Sequence, residues 1–279
     1  MKVILITGAS SGIGFESALM LAAQGHKVYA AARRVERMEP LRESGIVPIS
    51  LDVSEEKSMV ACIKTIIDSE GRIDVLINNA GYGYLGAIEN VPIEEARRQL
   101  EVNLFGLARL TQLVLPYMRA NQSGRIINTS SIAGKCAVLF GGWYNISKYA
   151  VEAFSDALRI EVNPLGIDVS IIEPGGIKTN WGIIAAENLE RSSTGTAYEE
   201  SGMNMASTFR YAYNGNLLSG PRAVAKAISR AVNARRPRIR YRVGAGSGAM
   251  IVMHSLLPAR WWDSLARILG KPIIKRRTS

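Results

Sequence analysis

Lys2-Val3-Ile4-Leu5-Ile6-Thr7-Gly8-Ala9-Ser10-Ser11-Gly12-Ile13-Gly14 decides how this chain folds. The run from Lys2 to Thr7 is apolar and β-branched, as in a parallel strand buried on both faces. After the glycines, Phe15, Ala18, Leu19 and Ala22 recur at helical spacing. A strand, a glycine-rich turn and a helix N-terminus make an anion site, since backbone N–H groups and the helix dipole converge there. The glycines allow the tight turn and the close approach of a pyrophosphate. A plain strand-to-helix turn would use similar residues, but the strand and helix on either side favour a nucleotide.

Working outward, Lys27 to Ala32 reads as a second strand and completes a β-α-β unit. It runs into Ala31-Ala32-Arg33-Arg34, with no acid to select the free 2′-hydroxyl of NAD. Arginine there accommodates a 2′-phosphate, so the reading is NADP (NADPH). Two solvated loop arginines are the alternative. Ile46 to Leu51 reads as a third strand before Asp52-Val53, and Glu55 to Glu70 as an amphipathic helix with Ser54 as its N-cap. Ile73 to Ile77 is a fourth strand, leading into Asn78-Asn79-Ala80-Gly81. Ile93 to Asn103 and Phe105 to Arg119 read as one long bent helical region. Asn103 falls mid-pattern, where asparagine is a poor choice unless it has a job.

Arg125 to Thr129 is a fifth strand, and Trp143 to Val162 a helix stopped by Asn163-Pro164. Asp168 to Ile172 is a sixth strand. Arg238 to Val243 alternates with period two and reads as a last strand whose arginines form a solvated sheet edge. Strands alternating with helices predict an α/β fold: a doubly wound, Rossmann-type parallel sheet of about seven strands with helices on both faces. The whole of 1–279 reads as one domain. Ligands of such sheets bind at the carboxyl ends of the strands. The glycine turn, the Asn-Asn-Ala-Gly loop, Ser131 and Pro174-Gly175 all fall at such ends.

Ser131 stands thirteen residues before Tyr144, and Lys148 four after it. Positions i and i+4 of a helix share a face, so the Lys148 ammonium belongs beside the Tyr144 phenol. A phenol with a pKa of about 10 is a poor acid–base group at neutral pH, and a neighbouring cation lowers it. Ser131, at a strand end, suits holding a carbonyl oxygen against that phenol. The trio fits ketone or aldehyde reduction, or the reverse. Alone, Tyr-x-x-x-Lys also describes an interfacial tyrosine and a solvated lysine; its context separates the two.

The composition is that of a globular protein: 279 residues, 47% hydrophobic and 21% charged. Cys62 and Cys136 are the only cysteines, which excludes a disulfide scaffold and fits a reducing compartment. No Cys/His group has metal-ligand spacing. Met1 leads straight into a strand without a signal peptide, so the expected location is cytoplasmic. The net charge of +10 is unevenly placed. Pro221 to Ser279 holds eleven Arg, three Lys and one acid, a balance of +13 that leaves −3 for the first 220 residues.

Thr7-Gly8-Ala9-Ser10-Ser11-Gly12-Ile13-Gly14, Asn78-Asn79-Ala80-Gly81, Ser131, Tyr144-x-x-x-Lys148 and Pro174-Gly175 occur in order and at typical separations. In these motifs the chain resembles a short-chain dehydrogenase/reductase, strongly over Lys2 to Thr179. Its general character is similar to NADP-preferring members acting on hydroxysteroids and retinoids. The resemblance implies that Tyr144 is the general acid/base, and that Lys148 lowers its pKa and holds the nicotinamide ribose. It implies that Ser131 orients the carbonyl and that Asn103 holds a water in a proton relay. For the cofactor it implies Gly8, Ser10, Ser11, Gly12, Ile13 and Gly14 at the pyrophosphate, and Arg33 at the 2′-phosphate. Asp52 and Val53 would meet the adenine, Asn79, Ala80 and Gly81 the adenosine side. Pro174, Gly175, Ile177 and Thr179 would lie near the carboxamide. A catalytically silent nucleotide sensor on the same fold is the competing reading, and the intact Ser-Tyr-Lys set argues against it.

From about 180 to 220 the periodicity fails, and the segment reads as a substrate lid with Trp181, Met203, Met205, Phe209, Tyr211 and Tyr213 available to line an apolar pocket. The helices Phe105–Arg119 and Trp143–Val162 carry apolar residues on more than one face, including Leu107, Leu110, Val114, Ala153 and Phe154. That predicts a homodimer or homotetramer. The basic extension from about 245 is mostly apolar from Ala249 to Trp262, with Leu265, Ile268 and Leu269 next and then Lys271, Lys275, Arg276 and Arg277. It suits either an anionic membrane surface or the rim of the pocket, and the rim is the preferred reading. The partners expected are a small carbonyl or alcohol and no nucleic acid.

Overall fold

The computed structural model describes residues 1–216, 218–244 and 246–269. The expected sheet is present: seven strands, all parallel, in the order β3-β2-β1-β4-β5-β6-β7. They are β1 (Val3–Thr7), β2 (Lys27–Ala32), β3 (Val47–Ser50), β4 (Val75–Asn78), β5 (Gly124–Thr129), β6 (Ile167–Pro174) and β7 (Arg240–Val243). The order reverses beside β1, between β2 and β4, which opens a crevice at the strands' carboxyl ends. β1 is buried along its whole length, as its unbroken apolar run requires.

Each face of the sheet has its own core. On one, Ile4, Ile6, Val28, Ala30 and Ile77 pack against Ala18 and Leu21 of α1 (Gly12–Ala22) and Val224, Ile228 and Ala231 of α8 (Pro221–Asn233). On the other, Val3, Leu5, Leu76 and Ile126 meet Met59, Ile63 and Ile66 of α2 (Glu56–Glu70), Leu110, Val114 and Met118 of α4 (Gly106–Ala120) and Leu158 and Val162 of α5 (Gly142–Val162).

Several local expectations are corrected. Ser54 does not cap α2: Glu55 holds that place, and the Ser54 hydroxyl turns back to Asp52 Oδ1 at 2.6 Å. The segment expected to be an irregular lid is largely helical over 180–214. It forms α6 (Asn180–Ser193) and α7 (Glu199–Asn214), which pack through Gly182, Ala185, Ala186, Gly202 and Ala206. Small residues let the two helices approach closely, and they leave no apolar stripe of the usual kind to read. The bend before α4 is a π-helical turn, Glu101–Phe105, joining α3 (Ile93–Leu100) to α4 and carrying Asn103. Such turns recur at functional sites. The β7 arginines are not a solvated row. Arg240 bridges Glu152 (3.1 Å), Asp156 (2.6 Å) and Glu173 (3.2 Å), and Arg242 reaches Glu173 at 3.0 Å. The Glu173 side chain is fully buried, so these cations offset a carboxylate that water cannot reach.

Leu107, Leu110 and Val114 point into the core; the apolar side chains left exposed on the outer faces around α4 and α5 are Phe105, Tyr117, Ile146, Tyr149 and Ile160. The C-terminal part forms α9 (Ser247–Leu256) and α10 (Ala259–Leu269). Lys271, Lys275, Arg276 and Arg277 lie outside the described residues. Among the described residues no helix is long and apolar enough to cross a membrane.

Candidate active site

The glycine-rich turn after β1 is a cradle that side chains would fill. Gly8 and Gly12 sit in the left-handed region, with φ of 67° and 57°. A Cβ on Gly8 would lie 2.8 Å from Ala80 Cα, and one on Gly14 would lie 2.5 Å from the Gly8 carbonyl oxygen. Both obstacles are backbone and cannot rotate away. Ile13 occupies the first turn of α1, which contains no acid, and the Ser11 hydroxyl makes no capping bond. The loop after β4 is wired to the same turn. Thr7 Oγ1 accepts from the backbone N–H of Asn79 (3.0 Å) and of Ala80 (2.9 Å), and Asn79 Nδ2 donates to the Thr7 carbonyl at 3.1 Å.

A cavity of about 350 Å³ opens beside this turn, lined by Gly8, Ser10, Ser11, Arg33, Asp52, Val53, Ala80 and Gly81. It also includes Arg34, beside Arg33 in the sequence, and Tyr82 and Arg98, which the sequence did not single out. Burial alone would raise the Asp52 carboxyl. Hydrogen bonds from Ser54, with the charges of Arg33 and Arg98, outweigh that and hold it below its ordinary value. Exposed helix N–H groups, a glycine cradle and a cavity rimmed by guanidinium groups fit a dinucleotide phosphate. Thr179 comes over the turn from the far side, its Cγ2 3.3 Å from where a Gly12 Cβ would stand. Gly175 donates its N–H to the Val243 carbonyl at 2.7 Å, which fixes the Pro174-Gly175 loop. The Ile177 side chain is in the core with Val224 and Ile228 of α8.

The Ser-Tyr-Lys set converges at the centre of the crevice. Tyr144 and Lys148 lie on one face of α5, both buried, with the ammonium 5.9 Å from the phenol ring centroid. Lys148 Nζ donates to the Thr129 carbonyl at 2.9 Å. Ser131 Oγ accepts from Ala133 N–H at 3.1 Å and donates to the Pro174 carbonyl at 3.4 Å. Burial pushes Tyr144 up to about 12, with the Ser131 hydroxyl pulling the other way. Burial brings Lys148 down to about 8, with Glu152 one turn further along α5 opposing the shift. Desolvation in the enclosed site is the largest influence on the phenol. At neutral pH it holds its proton.

Asn103 is buried, and its amide is fully engaged. Nδ2 donates to the Tyr82 carbonyl (2.9 Å) and to Ser147 Oγ (3.0 Å), and Oδ1 accepts from Tyr82 N–H at 3.0 Å. The side chain clamps the Ala80–Tyr82 loop to α5, and both of its N–H groups are used in doing so. Ser147 Oγ in turn donates to the Tyr144 carbonyl at 2.8 Å. Asn145 pins the loop after Ser131, donating to the carbonyls of Ala133 (2.7 Å) and Cys136 (2.9 Å).

The roof is aromatic and apolar. Trp181, at the start of α6, tilts over Tyr144 with centroids 5.1 Å apart, and Tyr213 and Phe209 of α7 continue the row. Leu85, Phe140, Ala185, Ala186, Leu189 and Met205 close the walls. Of the segment's candidate pocket residues, Tyr211 is exposed instead.

Residues 2–188 match the family model described as short chain dehydrogenase. The chain is 39% identical over 265 residues to the probable short-chain type dehydrogenase/reductase VdlC of Helicobacter pylori, covering 95% of this chain and 96% of that one. It is 44% identical over 181 residues to a 3-ketodihydrosphingosine reductase of Bacteroides thetaiotaomicron, covering 64% and 65%. A short-chain dehydrogenase structure from Streptomyces avermitilis superposes with a TM-score of 0.80 at 32% identity, covering 95% of this chain and 98% of the other. An alcohol dehydrogenase from Thermococcus sibiricus, solved with 5-hydroxy-NADP, superposes at 0.71 with 27% identity, covering 88% and 97%. A Burkholderia phymatum relative, solved with NAD, superposes at 0.77 with 25% identity, covering 90% and 92%.

Proposed function

The chain belongs to the short-chain dehydrogenase family, and from that premise we propose that it is an NADP(H)-dependent reductase of apolar ketones or aldehydes. As a family member it is an oxidoreductase that interconverts carbonyl and alcohol with a nicotinamide dinucleotide. The carrying observation for the reductive reading is the buried Tyr144 phenol. It stands beside Ser131 and Lys148 under an apolar roof, where its proton can be handed to the oxygen of a bound carbonyl.

In this reading Ser131 Oγ–H donates to the substrate carbonyl oxygen and sets its carbon toward the cofactor side of the crevice. The bound cofactor supplies the hydride. Tyr144 then gives its phenolic proton to the oxygen that has gained charge, acting as a positioned general acid. Lys148, held by its hydrogen bond to the Thr129 carbonyl, stabilises the phenolate left behind, which regains its proton from solvent water before the next turnover. Asn103 acts as a positioning residue through its hold on Tyr82 and Ser147.

NADP preference rests on Arg33, with Arg98 reaching the same cavity. Arg33 supplies the guanidinium after β2 and no acid competes with it at the strand end. The substrate is apolar because Trp181, Phe140, Leu189 and Met205 surround the phenol. The name of the Bacteroides relative makes long-chain 3-ketones a reasonable first choice, with hydroxysteroid- and retinoid-type carbonyls beside them. The whole chain serves as one catalytic domain, with α6 and α7 as the substrate-covering part. The test is NADPH oxidation against a panel of long-chain 3-ketones, steroid ketones, retinal, small aldehydes and quinones. Turnover confined to small hydrophilic aldehydes, or to NADH, overturns the assignment of substrate class or cofactor.

A further inference from the structure

The C-terminal helices are attached by one face and carry a second apolar face with nothing against it among the described residues. The attached face is Ile251 and Trp262, both buried with Cys136, and Met250, Leu257 and Leu265, half-buried beside Ile132. Trp262 Nε1 donates to the Ala137 carbonyl at 3.1 Å, and His254 meets the Trp262 ring edge-on at 4.6 Å. So α9 and α10 form a fixed hairpin on the loop that follows Ser131, and do not cover the pocket over Tyr144. The apolar roof there comes from α6 and α7 instead.

The outer face is patterned. On α9 the exposed residues Ala249, Val252, Met253 and Leu256 follow i, i+3, i+4, i+7, which is a single stripe. On α10 Trp261 and Ile268 stand seven apart on one face. Leu256 is 77% exposed, Trp261 68% and Ile268 59%. A contiguous exposed apolar surface of this kind marks an interaction site. The adjacent stripe of α10 carries Arg260 and Arg267 with one acid, Asp263, between them, and among the described residues neither arginine has a carboxylate within ion-pair distance. The sequence continues with Lys271, Lys275, Arg276 and Arg277 and no acid.

We propose that this hairpin docks the enzyme on the surface of an anionic lipid bilayer, with Val252, Met253, Leu256, Trp261 and Ile268 entering the headgroup boundary. An apolar stripe, a tryptophan at its border and flanking cations are the features of a helix that lies in that boundary. Anionic headgroups attract the cations without demanding a shaped partner. Charge decides against a second copy of the chain as occupant. A two-fold contact through this face would set two segments of strongly positive balance against each other, whereas an anionic surface neutralises both charge and exposed apolar area. Nor does the hairpin cross the bilayer, since neither helix is long or apolar enough. The hairpin's attached face holds the loop that follows Ser131, so docking of its outer face would bring that side of the crevice near the bilayer and an apolar substrate dissolved in it. That last consequence rests on the proposed activity; the docking does not.

The experiment is sedimentation of the full chain with neutral phosphatidylcholine vesicles and with vesicles containing phosphatidylglycerol, at low and high salt. The native protein is expected to sediment only with the anionic vesicles, and less so at high salt. Leu256→Ser with Trp261→Ser removes exposed side chains only. It is expected to weaken anionic binding roughly tenfold or more while leaving the melting temperature and NADPH affinity unchanged. Absence of binding at low salt overturns the proposal. So does undiminished binding by the folded double variant, which would assign the attraction to charge alone. A native dimer that the double variant converts to monomer, without lipid binding, would assign the face to a second copy and also overturn it.

Discussion

Arg98 is the sharpest test of how the adenosine end works. It projects from α3 into the cavity that holds Arg33 and Asp52, and its nearest carboxylate is Glu95 at 3.9 Å. Its side chain is 62% exposed. A guanidinium bonded to a phosphate in a buried site contributes about 1.5–3 kcal/mol, but solvent screens an exposed one to about 1 kcal/mol. About 1 kcal/mol is about fivefold in Kd. Arg98→Ala is therefore expected to weaken NADPH about fivefold and leave NADH within twofold. Arg33→Ala is expected to do at least as much, and the double variant to approach about 25-fold if the two act independently. Titration of the reduced cofactor's fluorescence reads each value. The NADPH advantage should also shrink as salt is raised. Equal losses of NADPH and NADH in Arg98→Ala would refute the assignment of Arg98 to the 2′-phosphate. Equal affinities in the native protein would refute the NADP preference itself.

Three further outcomes follow from the same geometry. Gly14→Ala places a Cβ 2.5 Å from a backbone oxygen; it should cost about 1–3 kcal/mol of stability by overpacking and abolish NADPH binding, read by melting temperature and titration. Lys148 is held at about 8 against an ordinary 10.5. Because that pKa is depressed, folding carries the cost of a buried charge below pH 8 and is relieved of it as pH rises toward 10.5. Lys148→Met should therefore be more stable than the native apo protein at pH 7, and the melting-temperature gap should narrow between pH 8 and 10; a constant gap contradicts the buried, charged lysine. Phe105, Tyr117, Ile146, Tyr149 and Ile160 predict a homodimer or homotetramer by light scattering, reduced to monomer by Ile146→Glu with Ile160→Glu; a native monomer at all concentrations contradicts it.

What the sequence made legible was set by local rules. The unbroken run of β1, the glycine turn and the Tyr144–Lys148 spacing carry their structural meaning within a few residues, and the sheet followed from their repetition. What escaped depended on tertiary packing. Arg98 looks like any helix arginine beside Arg97 until α3 is placed over the cavity. Segment 180–220 concealed two helices because Gly182, Ala185, Gly202 and Ala206 replace the large apolar residues that periodicity detects. The raised Tyr144 pKa needed the roof: spacing reports the neighbouring cation, and only the enclosing Trp181, Phe140 and Met205 report the burial. Arg240 and Arg242 alternate as a solvated edge would, and nothing local reveals Glu173 buried beneath them.

The central claim is that Tyr144 supplies the proton to a reduced carbonyl, and its most direct measurement is single-turnover NADPH oxidation by native protein and Tyr144→Phe on a substrate the panel identifies. The ring keeps its packing against Trp181 and loses only the hydroxyl, so fold and NADPH affinity should be unchanged. The rate should fall by about 10²–10⁴-fold. A phenylalanine variant that binds NADPH normally and reduces the same substrate at the native rate would contradict the account.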